Sequence, residues 1–147
     1  MSGKLAVMKD AVTDALLADR VQGVLDVPFH QFLGMRLRDT AHPEHGLRIE
    51  VADAAVNNAD LLHGGILAAL LDVAGYLALL PELGSGEGAV THDASVSLIK
   101  AVPRGSILQV TGRVVRRGRN LAFVQSEATV DGVVVAIGQV TKSVMRI

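Results

Sequence analysis

Residues 63–80, His63-Gly64-Gly65 and the run that follows, constrain this chain more than any other stretch. Past the two glycines the residues are apolar or small at every angle around a helix, and one carboxylate, Asp72, interrupts them. A helix with no polar stripe must be covered on every side, by its own fold or by a partner. An Asp within it is costly unless it has a partner or a task. The glycines leave the first backbone N–H groups unshielded, where a developing negative charge is well received. The apolar run is about 17 residues, short of the roughly 20 that cross a bilayer. Asp72 at its middle would oppose insertion by roughly 2.5–3.5 kcal/mol. The expectation is a soluble protein with an enzyme site on a central, wrapped helix.

Composition removes other classes. A chain of 147 residues, half of them hydrophobic, predicts one domain over 1–147 with a proper core. Aromatics are 3% with no Trp, and the formal net charge is −1, so neither base stacking nor a basic surface points to nucleic acid or anionic membrane. The chain has no cysteine, which excludes disulfides, thiolate nucleophiles and Cys-ligated zinc, and fits the cytoplasm.

Leu5, Met8, Val12, Ala15 and Leu16 recur at helical spacing over residues 4–20. Lys9, Asp10, Asp14, Asp19 and Arg20 then read as its solvated face, and no continuous apolar core marks a signal peptide. Val27-Pro28-Phe29-His30 breaks this helix, so residues 1–30 form a helical extension, with His30 structural or on the surface. From Leu33 the period changes to alternation, and residues 33–53 predict a hairpin around the loop of residues 41–46. His42 and His45 in that loop have no helix to hold them on one face, and no metal site is expected.

Asn57 to Leu62 leads into the central helix, which stops at Pro81, and three glycines make residues 82–88 a flexible connection. Strand patterns follow at 89–99, 106–116, 121–130 and 133–146, with Asp131-Gly132 as a two-residue hairpin turn. The order predicts an α+β fold, an antiparallel sheet of five to six strands curled around one helix. Its open edges favour pairing with a second subunit.

Those residues resemble the hotdog fold, and the motif is similar to that of acyl-CoA thioesterases of the phenylacetate-degradation type. The likeness runs from about Leu33 to Met145. It rests on Asn57, on His63-Gly64-Gly65 six residues later, on Asp72 nine after His63, and on Gly118-Arg119-Asn120-Leu121-Ala122-Phe123 before Asp131-Gly132. The resemblance implies hydrolysis of an acyl-CoA thioester between two subunits, with coenzyme A part of the substrate and no cofactor. In such enzymes a backbone N–H at the Gly64 position polarises the carbonyl. Asn57 would support the site, Asp72 would act as general base or nucleophile, and Thr91 would help hold water or carboxylate. One position departs from the pattern: Asp60 stands where Gly is common, which bears on the path of the entry loop.

Elementary geometry adds a requirement. Gly64 and Asp72 are eight residues apart, about 12 Å along a helix. One carbonyl cannot be held at the helix start and attacked by that same helix's Asp, so two antiparallel helices must share the site. That predicts a homodimer, with a dimer of dimers as the expected assembly. His63 joins Asp72, Gly64, Asn57 and Thr91 in the expected catalytic set. Bland readings stand beside these: His63 as a helix-entry residue, favoured over acid–base work, Gly64 and Gly65 as packing glycines, Asp72 as a structural hydrogen-bonder, Asn57 as a turn residue. On β alternation His92, not Thr91, shares the apolar face of its strand, unless a bulge or the dimer seam reverses this. Arg116, Arg117 and Arg119 cluster at a turn. With Gly65, Asn120 and Lys142, Arg117 and Arg119 are the expected substrate contacts, guanidinium groups suiting coenzyme A phosphates. Two rivals remain: a non-catalytic acyl-CoA-binding module, and a dehydratase or hydratase of acyl thioesters.

Overall fold

The computed structural model describes residues 12–147. The first turns of the helix expected over residues 4–20 therefore lie outside the described residues. Helix α1 spans Asp14–Leu25, and the Thr13 side chain caps it by accepting the Leu16 N–H. Val21 and Val24 dock it, while Ala15 is exposed, so the buried face lies further along than the early spacing suggested. Pro28 opens a second short helix, α2 (Pro28–Phe32), at the first position, where its fixed φ suits a helix. His30 ties the two together, its Nδ1 lying 2.7 Å from the Val24 carbonyl.

Arg20 is not a solvated charge. Its guanidinium donates to the carbonyls of Leu83, Gly84 and Glu87 at 3.0, 2.7 and 2.9 Å. The Glu87 carboxylate also accepts the Gly84 N–H at 2.8 Å. The glycine-bearing connection is thus pinned at several points, contrary to its composition.

Six strands form one antiparallel sheet: β1 (Arg36–Leu37), β2 (Leu47–Glu50), β3 (Glu87–Leu98), β4 (Ile107–Arg117), β5 (Leu121–Val130) and β6 (Val133–Arg146), in the order β1-β2-β4-β5-β6-β3. The first hairpin is shorter than alternation suggested. Leu33 and Met35 are buried at the end of α2, with Gly34 at φ 65° between them, and pairing starts only at Arg36. The β5–β6 turn uses positive φ at Asp131 and Gly132, as a two-residue hairpin requires.

The central helix α3 (Gly64–Leu79) lies on the inner face and continues as a 3-10 turn through Pro81. Gly112, Ser126 and Gly138 stand side by side on β4, β5 and β6, a lane of small residues beneath it. A Cβ on Gly112 would meet the Ala74 carbonyl oxygen at 2.5 Å, so this lane sets how closely the helix approaches. Ser126 donates to the Leu71 carbonyl at 2.7 Å, which satisfies its buried hydroxyl.

Gly64–Glu82 is 19 residues long and apolar enough to cross a membrane, but half of it is buried within this fold, the situation of a core helix. Leu70, Leu71, Ala74 and Leu77 are 1% exposed or less. Ile66, Ala69, Asp72, Val73 and Tyr76 recur at three- and four-residue spacing and stay half-exposed. The sheet covers one side of the helix; the stripe carrying Asp72 is left partly open. Beside it runs β3, an edge strand with Val90 and Leu98 about half exposed.

Candidate active site

The glycine end of α3 presents one free donor. His63 is the N-cap, and its Nδ1 accepts the Gly65 N–H at 3.0 Å. The N–H groups of Ile66 and Leu67 both reach the His63 carbonyl, at 3.0 and 3.1 Å. The Gly64 N–H makes no hydrogen bond among the described residues. It stands alone where the helix dipole concentrates positive charge. His63 is thus placed as a helix-entry residue, through its carbonyl and through Nδ1, the acceptor in this geometry. A Cβ on Gly64 would lie 2.8 Å from the Leu98 Cδ1, so the end of β3 closes over this position.

Asn57 organises the entry loop. Its Oδ1 accepts the N–H groups of Ala59 (2.9 Å) and Leu61 (3.3 Å), and its own N–H donates to the Leu61 carbonyl at 2.8 Å. Asp60 sits at φ 65°, a conformation natural to Gly and tolerated by Asp, which accounts for the residue common at this position. Its carboxylate grips Arg104, which also meets Asp53 at 2.6 Å. Asp60 foremost, and Asp53 with it, hold the Arg104 guanidinium above its ordinary range. The departure at Asp60 is absorbed by this clamp.

Asp72, halfway along α3, belongs to a three-membered network. Thr91 Oγ1 lies 2.8 Å from Asp72 Oδ1 and 2.9 Å from Oδ2. Lys142 Nζ donates to Asp72 Oδ1 at 2.7 Å and to Thr91 Oγ1 at 2.8 Å. The Lys142 side chain is 3% exposed, that of Asp72 32%, so the ammonium is sealed in while the carboxylate keeps an open side. The ammonium also lies 5.6 Å from the Tyr76 ring centroid, within cation–π range.

A β-bulge explains why Thr91 is there. Thr91 pairs with Lys142 and Asp93 with Thr141, leaving His92 as the extra residue. Before the bulge, Ala89 and Thr91 lie opposite the buried Val144 and Lys142; after it, Ala94 and Leu98 lie opposite the buried Val140 and Ala136. The inward phase changes from odd to even. His92 points away and meets Ser143 at 3.1 Å. Alternation alone put His92 on the apolar face; the bulge reverses that.

The basic residues divide. A bulge after Val114 turns Arg117 inward, where it is 7% exposed and paired with Glu87 at 2.6 Å. Arg117 is therefore not the solvent-facing turn residue its neighbours suggested. Lys142 too lies inside rather than on a phosphate-binding surface. Arg117, Ala122, Lys142 and Thr91 stand in one register row across four strands, a polar layer within the inner face. Arg119 and Asn120 remain exposed at the β4–β5 turn, and Gly65 is exposed at the helix start. Sequence reasoning missed the inward Lys142, Arg117 and Ser126. Val140-x-Lys142-x-Val144 and Val124-x-Ser126-x-Ala128 carried the signal for two of them, a polar residue in phase with buried ones.

His42, Glu44 and His45 come together on the 3-10 turn Pro43–His45, with ligand atoms within 4.8 Å of one another. The loop reading gave the two histidines no helix to hold them on one face; the 3-10 turn supplies one, since residues three apart eclipse on it, and the two rings stack at 5.2 Å. The cluster is at the surface, and His42 already meets Glu44 at 3.2 Å. A concavity of about 630 Å³ opens on the outer face of the sheet around Arg113, Gln125 and Gln139. Neither feature includes Asp72 or Gly64.

With this geometry in hand, comparison decides the family. The model of the thioesterase superfamily matches residues 60–142, from the clamp at Asp60 to the buried Lys142. The chain belongs to the thioesterase superfamily. It is 29% identical over 96 residues to human acyl-coenzyme A thioesterase 13, covering 64% of this chain and 68% of that protein. It superposes on a phenylacetic acid degradation-related protein of Ralstonia eutropha JMP134 with a TM-score of 0.72 at 27% identity, over 86% of this chain and 98% of the other. A Streptococcus mutans UA159 protein solved bound to acetyl CoA gives a TM-score of 0.63 at 29% identity, over 68% and 79%. The hotdog architecture and thioesterase kinship read from the sequence both hold for this superfamily member.

Proposed function

We propose that this thioesterase-superfamily protein hydrolyses acyl-CoA thioesters to the free acid and coenzyme A. The carrying observation is the pairing of a free Gly64 N–H at a helix start with an Asp72 carboxylate held by Thr91 and Lys142. Likeness to human acyl-coenzyme A thioesterase 13 and to a protein that binds acetyl CoA supports the choice of substrate. The Gly64 N–H polarises the thioester carbonyl and receives the oxyanion, with the helix dipole behind it. Asp72 either takes a proton from the water that attacks the carbonyl carbon and returns it to the departing coenzyme A thiolate, or itself attacks that carbon. The C–S bond breaks, and in the second route water then hydrolyses the acyl–Asp72 anhydride to the free acid. No metal is needed for either route. Exposed Arg119 and Asn120 offer contacts for the phosphates of the coenzyme.

Gly64 and Asp72 are about 12 Å apart along an ideal helix, so each site takes Gly64 from one subunit and Asp72 from the other. The partly open stripe of α3 and the apolar edge of β3 supply the surface for that pairing. A thiol-release screen over acyl-CoAs of different chain length and aryl content tests the activity. Asp72→Asn should lower turnover by orders of magnitude in that screen. Unchanged turnover would sink the reading, and an absorbance change of an enoyl product without thiol release would favour a dehydratase.

A further inference from the structure

We propose that Lys142 is a positioning residue for the reaction, its ammonium and the Thr91 hydroxyl fixing Asp72 so that Oδ2 faces the thioester. The proposal rests on the thioesterase reading and assigns Lys142 a role other than phosphate contact. Three observations carry it. The Lys142 side chain is 3% exposed, so its ammonium cannot reach a phosphate in solvent. Its short contacts are to Asp72 Oδ1 at 2.7 Å and to Thr91 Oγ1 at 2.8 Å. The Tyr76 ring, 5.6 Å away, stands over the ammonium.

The donors run one way. An ammonium only donates, so Lys142 uses a lone pair of the Thr91 oxygen and leaves the hydroxyl proton for Asp72. Oδ1 is taken by the ammonium. Oδ2 has at most the single Thr91 proton, and keeps lone pairs for a water proton or for direct attack. The network thereby makes the two carboxylate oxygens unequal, which an isolated Asp on an apolar helix would not be. Two anchors on different strands, β3 and β6, also remove the rotation of the carboxylate about its own axis. A reacting oxygen fixed in this way meets the carbonyl without a search over rotamers.

The test compares wild type, Lys142→Met and Lys142→Gln on two substrates. One is the acyl-CoA that the wild type turns over fastest, the other the N-acetylcysteamine thioester of the same acid, which lacks every phosphate. Misplacement of the reacting oxygen should cut kcat about 100-fold on both substrates. KM should stay within about two-fold, since ground-state binding is untouched. Lys142→Gln keeps a donor without the charge and should recover part of the lost kcat; it also serves if Lys142→Met fails to fold, with folding read from a thermal melt. A penalty confined to KM for the acyl-CoA, absent with the truncated thioester, overturns the proposal in favour of phosphate contact and leaves the thioesterase reading standing. Full activity in both variants also overturns it. A wild type inert toward every acyl-CoA overturns the thioesterase reading, and this role with it.

Discussion

Gly64 allows an unusually clean substitution. It is the first residue of α3, its N–H is unbonded among the described residues, and His63 before it is extended at φ −60°, ψ 127°. Proline removes that N–H, suits a first helical position and tolerates an extended predecessor. Gly64→Pro should therefore melt close to wild type; the added ring needs only the flexible end of Leu98 to give way. Losing one oxyanion donor should cost about 10²–10³ in kcat, read by thiol release. Asp72→Asn is less clean, because it leaves the sealed Lys142 without a counter-charge. That variant should lose roughly 1–3 kcal/mol of stability by chemical denaturation, and Asp72→Asn/Lys142→Met should regain part of it. At this scale the sequence was half legible. Spacing singled out Asp72 and the glycines, because they break an apolar helix. Thr91 stayed ambiguous, because a bulge is a tertiary accommodation between strands that no periodicity within one strand records. Arg117 looked like surface for the same reason.

The elements were easier to read. Five of the six strands and α3 fall within a few residues of where alternation and all-round apolarity place them, because each has a strong period or a clear stop such as Pro81 or Asp131-Gly132. The exceptions are short or cross-braced pieces. β1 has only two paired residues, and the connection after α3 is fixed by Arg20 from a helix more than 60 positions earlier. How close α3 lies to the sheet depends on the lane Gly112, Ser126, Gly138. Gly112→Ala would drive a methyl into the Ala74 carbonyl and should cost about 1–3 kcal/mol, measured by urea unfolding. Ser126→Ala removes one buried hydrogen bond to the Leu71 carbonyl, and about 1 kcal/mol is expected on the same assay.

Across the whole molecule, the proposed sharing of sites makes a prediction that no single chain can satisfy. In a mixture of Gly64→Pro and Asp72→Asn subunits, a mixed dimer holds one site with both lesions and one with neither. With random exchange, about half the dimers are mixed and one site in two works, so about a quarter of wild-type activity should return. Two inactive parents whose mixture stays inactive, after exchange is shown by mass, would place both groups in one chain's site or deny the dimer. The proposed pairing has a surface to use: α3 has a sheet on one side and a half-open stripe on the other.

The bulge at His92 has a consequence for how such a strand can change. It splits β3 into two tracts with independent phase, one presenting Thr91 to Asp72, the other sending Ala94 and Leu98 toward α3. Either tract can be rewritten without re-registering its neighbour. Removing the single residue at 92 would do the opposite, forcing one strand to choose between its chemistry and its core. His92 is thus a spacer, and the two jobs of the strand are kept compatible by its presence.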